Sequence, residues 1–218
     1  MNLKLVHNEL QNILSGTSGN SYDAVIQAIA RYLRRSKRTS PTAEEKHEDK
    51  PEETAKLIEY ANKHNLFYEL LSEDNYISEG AEQKVFMFGH DAVIKLNDSI
   101  YYASWEDYFH NLLLHNYFFS DTAYSFLGFY LKENVLYAAV KQSFIKTDEQ
   151  TDLTNVKSFL VANGFENSKN NDYYHPELGI ILEDLHDENV LTKNGILYFI
   201  DTVFYIKPEI FWEKLKID

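Results

Sequence analysis

The sequence predicts an α+β fold of two small lobes preceded by a helical leader, and three observations carry that expectation. Residues 1–64 hold three stretches whose apolar side chains recur at helical spacing. Residues 76–144 instead alternate apolar and polar positions around short turns, the pattern of antiparallel strands, with one helical stretch between them. From Asp172 to Ile206 short strand-like runs alternate with turns. A chain of 218 residues has room for one well-buried domain with an appendage, or for two small lobes sharing a cleft.

Residues 3–14 and 21–35 read as amphipathic helices, the second with Ser21 as N-cap and Val25, Ile26, Ile29, Ala30 and Leu33 on one face. Residues 36–51 are polar and charged, with no apolar residue beyond Ala43, and read as an exposed linker. A helix over 52–64 follows, burying Leu57, Ile58 and Ala61. Gln83–Phe88 and 92–96 form a hairpin around Gly89-His90-Asp91. Residues 104–119 are a helix with Trp105, Tyr108, Leu112, Leu113 and Tyr117 at helical spacing. Strands over 124–130 and 135–144 pair around Lys132-Glu133-Asn134 and are expected to join the first hairpin in one antiparallel sheet, with the 104–119 helix packed on it. A helix over 149–162 ends at Gly164.

With 44% hydrophobic residues, 16 Tyr and 14 Phe, the chain is far too apolar for a disordered segment. The absence of cysteine excludes disulfides and thiolate metal sites. No basic start followed by an apolar run is present, nor any stretch near the ~18 apolar residues of a membrane span. A cytoplasmic protein without a membrane partner is therefore expected. Residues 1–70 hold ten Lys/Arg and ten Asp/Glu, so the net charge of −13 sits entirely in residues 71–218. Such a body repels polyanions, and nucleic acid is not an expected partner. A nucleotide bound there needs a metal ion to offset the repulsion. The basic run from Arg31 to Arg38 reads as a solvated helix end rather than a phosphate-binding patch.

Chemistry concentrates in Asp184-Leu-His-Asp-Glu-Asn189, a turn at 192–195, and an apolar run into Asp201. Phosphoryl transfer needs a carboxylate beside the attacking hydroxyl and oxygen ligands that hold Mg²⁺ against the phosphates. Asp184 is the expected base, and Asn189 and Asp201 the expected metal ligands. His186, between Leu185 and Asp187, reads as a structural hydrogen-bonder, because adjacent loop residues rarely converge on one ion. Upstream, Lys95 ends the apolar strand Ala-Val-Ile-Lys, from which an ammonium can reach the α- and β-phosphates. A lysine so placed needs a carboxylate, and Glu106 is the nearest candidate, with Asp107 the alternative. Gly80 lies where a loop covering the phosphates should run.

The order of the Gly80 loop, Lys95, helical Glu106, the strand containing Gln142 and Phe144, Asp184 to Asn189, and Asp201 resembles the protein-kinase-like superfamily. In particular it is similar to the kinase domain found in polyvalent proteins of phages and conjugative elements, over about residues 65–210, with Trp105-Glu106, His115-Asn116, Gly128-Phe129 and Gln142 among its anchors. The resemblance implies a leader at 1–64, an N-lobe at 65–141, a hinge at 142–146 whose backbone meets adenine, and a reduced C-lobe at 147–218. It implies ATP and Mg²⁺ (or Mn²⁺) as cofactors and a small-molecule or protein acceptor; a pseudokinase of a mobile genetic element is the alternative. Two departures stand out: Leu182 replaces the His common two residues before the base, and Thr202-Val203 replaces the usual Phe-Gly.

Overall fold

The computed structural model describes residues 2–17, 23–37, 49–80 and 82–213. The fold is α+β, with every strand pair in its sheets antiparallel. Ser21 and most of the expected 36–51 linker lie outside the described residues. The chain divides into two compact units, one of Gly19–Leu113 with Tyr124–Phe144, the other of Met1–Ser18, Leu114–Ala123 and Ile145–Asp218.

The first unit is built on five strands, β1 (Tyr76–Glu79), β2 (Gln83–Phe88), β3 (Ala92–Asn97), β4 (Ser125–Lys132) and β5 (Val135–Ser143), in the order β1-β2-β3-β5-β4. The β4–β5 turn is Glu133-Asn134, both at positive φ (52° and 66°), as a two-residue hairpin loop demands. Central β3 sends alternate side chains to opposite faces. Ile94 and Leu96 join Phe86 and Ala139 in a core flanked by Tyr68, Leu71, Leu127, Tyr130 and Tyr137. On α4 (Trp105–Phe118), Trp105 and Phe109 meet Phe126 and Phe129 edge-on, with ring centroids 5.9–6.4 Å apart.

Gly128 shows why one position in β4 must be glycine. Its φ is +146°, and a Cβ there would lie 2.4 Å from the Leu66 carbonyl oxygen. The close approach lets the 66–68 segment pair with Phe129 through two 2.7 Å backbone hydrogen bonds. Gly128→Ala is expected to destabilise the fold by about 2–4 kcal/mol; the denaturant midpoint measures this.

Two further helices belong to this unit, α2 (Ala24–Lys37) and α3 (Asp49–His64). The expected stripe of α2 is buried at Ile26, Ile29, Ala30 and Leu33, whereas Val25 is exposed. On α3 the buried line runs Glu53, Leu57, Ala61, a carboxylate in register with two apolar residues. Glu53 Oε2 accepts the Trp105 N–H at 2.7 Å and so caps α4. At the same end Ser104 and Asp107 form a reciprocal capping pair, Asp107 N–H to Ser104 Oγ at 3.0 Å and Ser104 Oγ to Asp107 Oδ2 at 2.7 Å.

The second unit holds α1 (Leu3–Ser15), α5 (Leu153–Ala162) and α6 (Pro208–Phe211), with strands β6 (Glu166–Lys169), β7 (Asp172–His175), β8 (Ile180–Glu183), β9 (Val190–Lys193), β10 (Ile196–Phe199) and β11 (Val203–Ile206). Four strands form a sheet in the order β11-β8-β7-β6, and β9–β10 is a separate hairpin. The two leader helices α1 and α2 thus fall in different compact units. Leu10, Ile13 and Leu14 of α1 are buried, Gln11 Nε2 donates to the Phe211 carbonyl, and His7 meets the Phe211 ring. Burial pushes the His7 imidazole below its ordinary value.

Candidate functional site

Lys95 sits in mid-sheet on β3, opposite Val85 and Val140, with only 3% of its surface exposed. Alternation puts it on the face shared with Val93, and its ammonium lies 5.7 Å from the Tyr124 ring centroid. Glu106 occupies the first turn of α4. Its Oε1 accepts from Arg34 Nε at 2.9 Å and lies 3.7 Å from His110 Nε2. Arg34 therefore leaves the solvated helix end expected of residues 31–38, because a carboxylate one helix away holds it. Asp107, the alternative partner for Lys95, is engaged in the Ser104 cap.

Gly80 links β1 to β2, its N–H donating to the Gln83 carbonyl at 2.9 Å. It has no positive φ, and nothing lies within 4 Å of a Cβ built on it. Gln142 is buried on β5 opposite Val93. Phe144 is 45% exposed, and its N–H donates to the Asp91 carbonyl at 2.8 Å, so that donor is committed to extending the β3–β5 ladder. A cavity of about 280 Å³ lies on the sheet face opposite Lys95, lined by Tyr76, Phe86, Leu96, Tyr130 and Tyr137 among others; none of the expected site residues borders it.

In the second unit, Asp184 follows β8, Asn189 immediately precedes β9, and Asp201 lies between β10 and β11. Asp184 adopts φ +65°, a left-handed conformation that costs on the order of 1 kcal/mol and that Asp tolerates better than most residues. Three hydrogen bonds hold it there. Its N–H donates to Asp172 Oδ1 at 3.2 Å. Asn189 Nδ2 donates to the Asp184 carbonyl at 2.9 Å and to its Oδ2 at 2.8 Å. His186 Nδ1 accepts the Glu188 N–H at 3.3 Å, and its Nε2 lies 3.3 Å from Asp184 Oδ1 and 3.1 Å from Asn189 Nδ2. His186 is thus the hydrogen-bonder expected of it. The Asp184 carboxylate remains about half exposed. Nearby, burial and then the charges of Asp172 and Asp184 push Glu183 above the ordinary carboxylate range.

Asn189 and Asp201 are tied together through the backbone, since the Ile200 N–H donates to the Asn189 carbonyl at 2.9 Å. Beside Asp201, Thr202 is 3% exposed and its hydroxyl lies 2.7 Å from Nδ1 of His115, which is fully buried. His115 Nε2 lies 3.0 Å from the Thr122 carbonyl, and the Thr122 hydroxyl donates to the Phe199 carbonyl. A carbonyl only accepts, so His115 carries its proton on Nε2 and Thr202 donates to Nδ1. Sequence reasoning missed this network; the Thr in place of the usual Phe beside Asp201 was its one visible sign. Thr202→Val keeps the shape but strands a buried acceptor, and is expected to cost about 1–3 kcal/mol by chemical denaturation, with Thr202→Ser near wild type.

No group of three or more His, Asp or Glu among the described residues is arranged to hold a metal ion. Nor is any described helix long and apolar enough to cross a membrane. Residues 50–208 match the sequence model of a family described as serine/threonine/tyrosine kinase found in polyvalent proteins. No curated protein and no solved structure matches the chain.

Proposed function

The chain belongs to the family of serine/threonine/tyrosine kinases found in polyvalent proteins, and from that premise we propose that it transfers the γ-phosphoryl group of Mg-ATP to a hydroxyl on a small molecule or protein. On this reading its two compact units correspond to the two lobes of a kinase-like domain. Lys95 binds the α- and β-phosphates, and Glu106 orients it. Asp184 takes the proton of the acceptor hydroxyl as that oxygen bonds to the γ-phosphorus, the bond to the β-phosphate oxygen breaks, and ADP leaves. Gln142 and Phe144 border the base, and Gly80 the phosphates.

The observation that carries the reading is the Asp184–Asn189 clamp. A half-exposed carboxylate is held in a left-handed turn by the amide of the expected metal ligand. Backbone strain of this kind, over-determined by its surroundings, gathers at working sites. The donor set also fits the metal. Asn189 Nδ2 is committed to Asp184, which makes Oδ1 its ligand atom, and Asp201 adds a carboxylate; hard oxygens suit Mg²⁺ or Mn²⁺. Mg²⁺ is commonly held by one or two protein groups, with phosphate and water completing its shell. The ion, when bound, neutralises charge on the β- and γ-phosphate oxygens.

A pseudokinase is the second reading, and Gly80 favours it: the Gly80 backbone adopts no conformation reserved for glycine. The two are separated by a thermal-shift scan with ATP and GTP, with and without Mg²⁺ or Mn²⁺, run beside an autophosphorylation and ATP-consumption assay. At a hundred times its dissociation constant a nucleotide should stabilise the protein by about 2.7 kcal/mol. Metal-dependent stabilisation with turnover is expected; stabilisation without turnover favours the pseudokinase, and no stabilisation contradicts both.

A further inference from the structure

The family match begins at residue 50, yet a side chain from before it reaches the proposed nucleotide site. Arg34, on α2, donates from Nε to Glu106 Oε1 at 2.9 Å, in a contact where the two side chains are only 24% and 14% exposed. Its Nη2 lies 3.0 Å from His110 Nε2, one turn further along α4. A guanidinium only donates, so His110 accepts through Nε2 and carries its proton on Nδ1. One planar fork therefore spans two acceptors at i and i+4 on α4, a geometry that fixes the direction of Glu106 as well as its charge.

The helix presenting Arg34 is itself anchored. Ile26, Ile29, Ala30 and Leu33 of α2 are fully buried, and Tyr32 packs on Tyr60 of α3 with ring centroids 4.5 Å apart. In turn α3 grips the approach to α4. Glu53 caps the Trp105 N–H, Thr54 Oγ1 accepts from Trp105 Nε1 at 2.9 Å, and Lys50 donates to the carbonyls of Ser99 and Tyr102. Arg34 thus belongs to a packed frame rather than to a loose tail.

We infer that Arg34 is a positioning residue for Glu106, and hence that leader helix α2 is a working part of the nucleotide site although it lies outside the family-matched residues. The inference rests on the reading above, in which Glu106 orients the phosphate-binding Lys95. A purely structural role for Arg34 would be helix docking, which lowers stability without touching nucleotide affinity.

The test is calorimetric titration of Mg-ATP into the full chain and into Arg34→Gln, Arg34→Lys, Glu106→Gln and the Arg34→Gln/Glu106→Gln double variant, with the thermal midpoint of each recorded without nucleotide. Glu106→Gln and Arg34→Gln are each expected to weaken Mg-ATP binding about tenfold, and the double variant no further, because both remove one interaction. Arg34→Lys should also bind more weakly than wild type, since one ammonium cannot reproduce the fork, and it serves alone if Arg34→Gln does not fold. Weakening in Glu106→Gln with wild-type affinity in the Arg34 variants overturns the inference and leaves the functional reading standing. Fully additive losses also overturn it, because they make the two residues independent. Wild-type affinity in Glu106→Gln removes Glu106 from the site, and with it both the inference and that part of the reading.

Discussion

Asp184→Asn is expected to lower the phosphoryl-transfer rate by about 10²–10⁴-fold while leaving Mg-ATP affinity close to wild type. The substitution isolates the proton. Asn tolerates a left-handed backbone as Asp does, so the φ of +65° brings no new strain. Its side-chain oxygen can still accept from Asn189 Nδ2, which preserves the clamp. What disappears is the group that takes the acceptor's proton. Single-turnover phosphate release or transfer, compared with calorimetric ATP affinity, separates the two effects. Full-rate turnover in the variant would remove Asp184 from the chemistry, and Asp187, three residues on in the same loop, would be the next base to test.

Loss of nucleotide-dependent stabilisation is the second large effect, expected for Lys95→Met and for Asp201→Asn. Met approximates the length and apolar stem of a lysine that is 3% exposed, so the sheet around position 95 should survive while the phosphate contact is lost. Asn at 201 keeps the shape and removes the charge that a divalent ion needs. If either change raises the dissociation constant a hundredfold, the wild-type stabilisation of about 2.7 kcal/mol at saturating Mg-ATP falls to about 0.4 kcal/mol. Thermal midpoints with and without nucleotide measure it. Equal shifts in wild type and both variants would place the nucleotide elsewhere.

Strands were legible in the sequence where alternation was strong. Gln83–Phe88 is β2 to the residue, and the 135–144 reading differs from β5 by one position. The four-residue β1 was missed as a strand because all of its side chains are exposed and no buried face marks it. Helix 104–119 was found, but its expected single stripe was too narrow. His110, Asn111 and His115 are buried beside Trp105, Phe109 and Leu113, since polar groups with partners can sit inside where hydropathy predicts water. Site residues separate in the same way. The spacing of Asp184 and Asn189 is local, and their clamp follows from it. The Arg34–Glu106 pair and the His115–Thr202 bond join residues 72 and 87 positions apart, and nothing in either segment alone announces a partner at that distance. Glu53 is the instructive case, a buried carboxylate at an apolar position of α3 whose reason is a backbone N–H on another helix.

The most direct measurement is the anomalous scattering of Mn²⁺ in crystals grown with a non-hydrolysable ATP analogue. One strong peak is expected within bonding distance of Asn189 Oδ1, an Asp201 carboxylate oxygen and phosphate oxygens of the analogue, with Lys95 Nζ on the α- or β-phosphate. A nucleotide bound with neither Asp201 on the metal nor Lys95 on a phosphate would contradict the proposed site.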